Sequence, residues 1–417
     1  MWKAAPDAAA AEESYVCSST LMGHTHYVGA VAPAPDGGVA SGSNDKHVIE
    51  WDLIGGVPER ILEGHENAVS CVASCVQTGR LLSASWDKTA RIWEKGVCVV
   101  TLVGHDAAVW SVLPLQDGTG HVLTASADRT IKLWEGDMCV KTFTGHTDVV
   151  RTLAVVPGVG FLSGSNDGTV RLWDLGGECL RMIQASDTFV YSVNVLSSGE
   201  WMTCSEDRTV RLWDSSSGDC LQSITHPSTV WACTTLPNGD LASGCADGNA
   251  YVWTRSPSRV AHPDALAAFK EGVAAVAVPA QAMEGQQAFN TDNLLSEEAL
   301  LEPGTKEGQL KVVKDATSGT PTCYQWSNAS KSWEKVGEVV GQNNNEGATM
   351  GKRMYGGVEY DYLFDIDING TPLQLPFNRG DDPYMAAQQW MWQHDIDQGF
   401  LDQVANHIIA NTPGNVP

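Results

Sequence analysis

Ser, His and Asp recur together along the first 253 residues, and these are the residue types from which hydrolases assemble a nucleophile, its base and the group that orients the base. The His residues are His24, His65, His105 and His146, each preceded by Gly and followed four positions later by Val. The Asp residues are Asp45, Asp87, Asp128, Asp167, Asp207 and Asp247, each followed six positions later by a Trp. A hydrolase needs one activated site, whereas these groups return in six copies, always at the same distance from an indole. Repetition therefore predicts a structural role, a buried hydrogen-bonded network in each copy. No Gly-x4-Gly-Lys-Ser/Thr, His-Glu-x-x-His or Gly-x-Ser-x-Gly occurs anywhere to support a different chemistry.

The elements that position these groups follow from the Trp residues, Trp51, Trp93, Trp134, Trp173, Trp213 and Trp253, whose spacings are 42, 41, 39, 40 and 40. That period marks WD-repeat blades of a β-propeller. Each unit reads as a short strand after the conserved Val, a turn such as Pro-Asp-Gly or Pro-Asn-Gly, a Ser-rich strand such as 81–85, and a strand ending at the Trp, as in 169–173. A fourth strand precedes the next Gly-His. One blade cannot bury its own faces, so neighbours must stack and the ring must close. Cys17 stands seven residues before His24, as Cys98 and Cys139 do before His105 and His146, which predicts that 17–24 opens with an outer strand completing the blade that ends at Trp253. The fifth unit has Ala185-Ser186 and the sixth Thr225-His226 in place of Gly-His; His47 and Asn249 replace the Thr found in the other units.

Composition narrows the partners. Lys and Arg number 26 against 50 Asp and Glu, a net charge of -24 that repels nucleic-acid phosphates and anionic lipid headgroups. No apolar run approaches the roughly 20 residues of a membrane-spanning helix, and no signal-peptide core follows Met1, so a soluble intracellular chain is expected. Of eleven Cys, Cys17, Cys98, Cys139 and Cys179 share one slot of the repeat, and Cys71 and Cys75 lack a second pair, so neither metal nor cofactor is expected.

Beyond Trp253 the texture changes. Residues 1–13 read as a disordered N-terminus, 14–254 as the propeller, 255–302 as a linker with one helix within 262–278, 303–412 as a small α+β domain and 413–417 as a tail. Strands are expected at 309–314, 322–326 and 333–336. In 359–368, Tyr360, Tyr362, Phe364, Ile366 and Ile368 alternate with acidic residues and Leu363. Asn369-Gly370 predicts a hairpin into 372–377, followed by a helix opening near Asp381-Asp382-Pro383 and a last helix at 400–410. The fold class is thus mainly β, a WD-repeat propeller followed by a small α+β domain.

Five separated segments, 302–309, 333–341, 359–364, 375–378 and 400–404, agree in order with the ubiquitin-binding domain of the phospholipase A-2-activating protein family, which the chain resembles. The resemblance implies a ubiquitin adaptor whose propeller and middle domain both bind ubiquitin, acting in the cytoplasm and nucleus. It also implies an AAA segregase partner docked by a C-terminal helical-repeat domain that lies outside these residues. The family propeller has seven blades and this sequence shows six, which implies an absent first blade.

A ubiquitin receptor must offer modest apolar area among carboxylates. In the second domain, Asp361, Leu363, Asp365 and Asp367 on the acidic strand face meet that demand, with a solvated edge carrying one incidental Leu as the competing reading. Phe364 and Phe377 are further candidates near the hairpin, with burial in the core as their alternative. On the propeller rim, Trp110, Arg151, Tyr191 and Trp231 follow the entry Val, and Trp86 precedes a repeat Asp. These are interface hot-spot types, or else a plug for the central channel. The leading function is a non-catalytic ubiquitin-binding adaptor in ubiquitin-dependent degradation and sorting. A WD-repeat scaffold or ubiquitin-ligase substrate receptor and a phospholipase-activating regulator are the alternatives; direct membrane insertion is not expected.

Overall fold

The structure, a computed structural model, describes residues 2–4, 15–115, 118–279, 295–315, 320–340, 353–355, 358–360, 362–368, 371–378, 383–394, 396 and 400–412. The chain parts into two compact units, 1–342 and 343–417.

Six antiparallel sheets in the first unit follow the Trp period. Their inner strands are Val28–Pro33, Val69–Cys75, Val109–Pro114, Val150–Val156, Val190–Val195 and Val230–Thr235. Blades one to five have four strands each, and blade six has three among the described residues. Neighbouring blades bury each other's faces: Ala40, Val48 and Leu62 of blade one pack on Val69, Val72, Leu81 and Trp93 of blade two. Each fully buried side chain of this size contributes about 1.5–3 kcal/mol, so a blade is stable only through its neighbours. In every inner strand the register shifts across the residue after the entry Val, so Gly29, Ser70, Trp110, Arg151, Tyr191 and Trp231 each sit on a bulge. A bulge re-aims the side chain it carries.

The Gly before each His is also dictated locally. Gly104 has φ +154°, and a Cβ there would stand 3.2 Å from the Trp134 ring; at Gly145, with φ +150°, it would meet Arg171 and Trp173.

The ring is not sealed between blades six and one. Val28 and Val31 are 42% and 67% exposed, where Val69 and Val72 at the same positions of blade two are 0% and 6% exposed. Nor does the N-terminal segment complete blade six as expected. Tyr15–Cys17 pairs instead with Trp2–Ala4, so the expected disordered stretch 1–13 contains a short strand, while residues 5–14 lie outside the described set. Helix α1, Pro263–Ala274, packs on blade six through Phe269, whose ring lies 5.1 Å from Trp253 and 5.1 Å from Tyr251. Helix α1 begins with Pro263 at its first turn, as Pro favours, and its N-cap His262 accepts from the Asp264 amide. Phe269→Ala is expected to destabilise the first unit by about 1–2 kcal/mol, read as a lower urea midpoint of tryptophan fluorescence.

The segment expected to be a linker is packed. Ala277–Pro279 pairs in parallel with residues 338–340 and joins a five-stranded sheet with Ser332–Val340, Pro321–Ser327, Leu310–Lys314 and Leu295–Ser296. This sheet is tied to the outer strand of blade five, Cys220–Thr225. Glu307 accepts from the Ser223 amide at 3.0 Å, Gln325 accepts from the Thr225 hydroxyl at 2.6 Å, and Gln325 donates to Ser223 Oγ at 2.7 Å. Arg208 donates to the Val336 carbonyl at 3.2 Å. The expected division at 302/303 therefore differs from the division by contacts at 342/343, because these hydrogen bonds hold 303–340 on the propeller.

The second unit contains a hairpin, Tyr362–Ile368 with Thr371–Phe377, and helices α2, Pro383–Gln393, and α3, Leu401–Asn411. Ile368 pairs with Thr371, the register a two-residue turn requires. Tyr362, Phe364, Leu375 and Phe377 form its buried core with Tyr384, Trp390 and Met391 of α2 and Leu401, Val404 and Ile408 of α3.

Candidate functional site

The repeated polar groups form a chain inside each of the first four blades. In blade four, His146 Nδ1 lies 2.8 Å from Asp167, its Nε2 lies 2.7 Å from Ser163 Oγ, and the Trp173 indole donates to the same hydroxyl at 2.8 Å. Blades one to three repeat it through His24–Ser41–Trp51, His65–Ser83–Trp93 and His105–Thr124–Trp134. Ser83 and Ser163 are fully buried between imidazole and indole, so neither hydroxyl meets a substrate. For the Asp128 carboxyl, burial acts to raise the pKa. The hydrogen bond and charge of His105 and the hydroxyl of Thr130 outweigh it and bring it down to about 2.

Blades five and six depart from the pattern in different ways. With Ser186 in place of His, Asp207 accepts from the Ser186 hydroxyl at 2.9 Å and from Arg211 Nη1 at 2.6 Å, so a cation four residues downstream restores the network. In blade six His226 keeps Ser243 at 2.8 Å, but its Nδ1 faces the Ile224 carbonyl, and Asp247 accepts from the Tyr251 hydroxyl. Neither departure was foreseen, although the missing Gly-His marked where to look.

The rim candidates come together as one ladder. The Trp86 and Trp110 rings are 4.8 Å apart, Arg151 lies 3.9 Å over Trp110 and 5.4 Å from Tyr191, and Tyr191 and Trp231 are 4.6 Å apart. Blades two to six each contribute one member; blade one has Gly29 at the equivalent bulge. Asn166 accepts from Arg151 Nε at 3.0 Å and fixes the guanidinium. Burial raises the carboxyls of Asp148 and Glu206, and the charge of Arg151 counters it. Trp86, Arg151 and Tyr191 are buried, while Trp110 and Trp231 are half-buried. Cation–π and aromatic stacking thus bury three of the five rim candidates and leave two half-buried.

In the second unit, strand alternation separates the candidates. Phe364 and Phe377, expected among partner contacts, are 2% and 0% exposed and pack inward, because both occupy the helix-facing register of the hairpin. Leu363 is half-buried on the opposite face, paired across the hairpin with half-buried Pro376. Asp365 is exposed and accepts from Gln374 at 2.9 Å. Asp367 stands opposite Pro372 in the same hairpin. Asp361 lies outside the described residues. Pro376 and Gln374 were missed as members of this face; the Asn369-Gly370 register would have placed them there.

No group of three His, Cys, Asp or Glu poised for a metal occurs among the described residues. No helix among them is long and apolar enough to cross a membrane.

Comparison with known proteins matches both halves. The WD domain, G-beta repeat model matches six times, at 15–52, 56–94, 96–135, 137–174, 177–214 and 218–254. PFU (PLAA family ubiquitin binding) matches residues 302–416. The ubiquitin homeostasis protein lub1 of Schizosaccharomyces pombe is 37% identical over 93% of this chain and 53% of its own length. Phospholipase A-2-activating protein of Xenopus laevis is 39% identical over 95% of this chain and 50% of its own. The chain belongs to the phospholipase A-2-activating protein family. It spans about half the length of these family relatives. The family propeller is also known from the crystal structure of the WD40 β-propeller domain of Doa1. That structure is 36% identical, with TM-score 0.54, over 57% of this chain and 81% of that one.

Proposed function

We propose that the chain is a non-catalytic adaptor that binds ubiquitin, in the cytoplasm and nucleus, during ubiquitin-dependent degradation and sorting. The PFU match over 302–416 carries this reading, and the hairpin face within it has the required character. Leu363 and Pro376 provide a small apolar spot, and Asp365 and Asp367 provide carboxylates for the basic residues that ring ubiquitin's apolar patch. On the propeller, the half-buried faces of Trp110 and Trp231 form the second contact, held rigid by Trp86, Arg151 and Tyr191. An AAA segregase would engage the full-length relatives through residues beyond this chain.

Labelled ubiquitin titrated with the intact chain should show shifts confined to its apolar patch. Leu363→Asp should weaken binding at least about tenfold, because it places a charge in the apolar contact. Because two linked surfaces raise effective concentration, tetraubiquitin should bind roughly 10²-fold tighter than the monomer, and Trp231→Ala should erase most of that difference while sparing monomer binding to the hairpin. No shifts at all would leave a WD-repeat scaffold or ligase receptor as the better account; equal affinities for monomer and chain would remove the propeller from the binding site.

A further inference from the structure

The ladder and the His–Asp loops occupy one end of the wheel. Because each blade is antiparallel, the turns joining its first to second and third to fourth strands gather at the other end. There blades three to five enclose a groove of ≈ 750 Å³. Pro114, Val155 and Val195, at one register of three successive inner strands, line it with Leu113. Val159 and Leu175 rise from adjoining turns, are 46% and 38% exposed, and extend the same apolar lining. Asn194 also lines the groove, but its amide nitrogen donates to the Cys233 carbonyl at 2.6 Å, which leaves the wall largely apolar.

Around this end of the wheel carboxylates outnumber cations. The third-to-fourth turns of blades three, four and five carry Glu135 and Asp137, Asp174 and Glu178, and Asp214 and Asp219, with no Lys or Arg within those turns. The Ser216 hydroxyl and the Ser217 and Ser216 amides bring the Asp214 carboxyl down to about 2, so it remains ionised at any physiological pH. Of the neighbouring cations, Arg181 donates to the Ser216 carbonyl at 2.6 Å, Arg255 pairs with Glu200 at 3.0 Å, and the Lys141 side chain lies against Gly177 of the blade-four turn.

We propose that this groove docks a short segment of a partner protein in which apolar side chains are bracketed by Lys or Arg. The apolar wall takes the Leu- or Phe-like side chains, and the volume lies within the roughly 300–1,000 Å³ typical of ligand pockets. The carboxylate turns receive the flanking cations and turn away acidic peptides and nucleic acid. The site lies at the opposite end of the wheel from the ladder, so it stands or falls separately from ubiquitin binding.

The test is fluorescence anisotropy of the intact chain with a labelled peptide, Lys-Arg-Leu-Phe-Leu-Phe-Arg-Lys. Two control peptides replace its basic residues by Glu or its apolar residues by Ser. The basic apolar peptide should bind saturably, at least about tenfold tighter than either control, and weaken as salt rises. Val159→Ser with Leu175→Ser should remove most of that binding, as should Asp137→Lys with Glu178→Lys; these turn positions spare the blade interior, so circular dichroism and ubiquitin affinity should stay unchanged. Equal binding of the Glu-flanked peptide, binding indifferent to both double variants, or absence of saturable binding would each overturn the proposal.

Discussion

Asp167→Ala should lower the free energy of unfolding of the first unit by about 3–5 kcal/mol, as should the same change at Asp87 or Asp128, which hold the equivalent donors. Asp167 accepts from His146 Nδ1 at 2.8 Å, the Thr147 amide at 3.0 Å, the Thr169 amide at 2.9 Å and the Thr169 hydroxyl at 2.6 Å. Its removal strands these donors, and His146 is itself buried. The same substitution should cost less at Asp207, whose side chain is 21% exposed and whose partner Arg211 can turn to water. It should cost least at Asp247, which is exposed and faces no imidazole or guanidinium in its hydrogen bonds with the Asn249 amide and the Tyr251 hydroxyl. Urea midpoints followed by tryptophan fluorescence should therefore fall in the order Asp167, Asp207, Asp247. Equal losses at the three positions would contradict a buried network as the reason for the repeat.

The second large effect is a pH dependence localised to blade six. Burial brings the His226 imidazole from its ordinary 6.5 down to about 4, against the opposing Ile224 carbonyl and Asp247 charge. The folded state thus keeps this ring neutral where the unfolded chain already binds a proton. Its contribution to stability is fully present above pH 6.5 and is lost as pH falls towards 4, by up to about 3 kcal/mol. The Asp128 carboxyl, lowered to about 2, acts in the same direction, but only below its ordinary value of 3.8. Between pH 6.5 and 4.5 the two are therefore separable. His226→Gln, which can still bond Ser243 and does not titrate, should flatten the stability curve in that window relative to the natural chain. Parallel curves for the two proteins would show that the slope arises elsewhere.

Much of this architecture was legible because it is periodic. Asp six residues before Trp marks the same turn and strand of every blade, and the period located all six inner strands. The hairpin was legible for a similar reason, since alternation separates the Tyr362 and Phe364 face from the Asp365 face. The errors fall where long-range packing decides. Cys17 imitates the outer-strand slot of other blades, yet Tyr15–Cys17 found a partner in Trp2–Ala4, and blade six was covered by a helix that no repeat could announce. Phe364 and Phe377 stood as contact candidates with core as the other reading, and the structure buries both. Among the rim residues the stacking was not legible: Arg151 lies over Trp110 and against Tyr191, a cross-blade contact that pairs residues about forty apart.

The hydrogen bonds from Glu307 and Gln325 into the outer strand of blade five bear on how such proteins can be recombined. A splice at residue 302, where the PFU match starts, would carry away a sheet whose anchoring strand stays behind on the donor. The start of the family match and the boundary between the two compact units are thus offset by some forty residues. A chimera that keeps the outer strand of blade five, blade six and helix α1 with this stretch would retain those hydrogen bonds, whereas one cut at the homology border would inherit a bare edge.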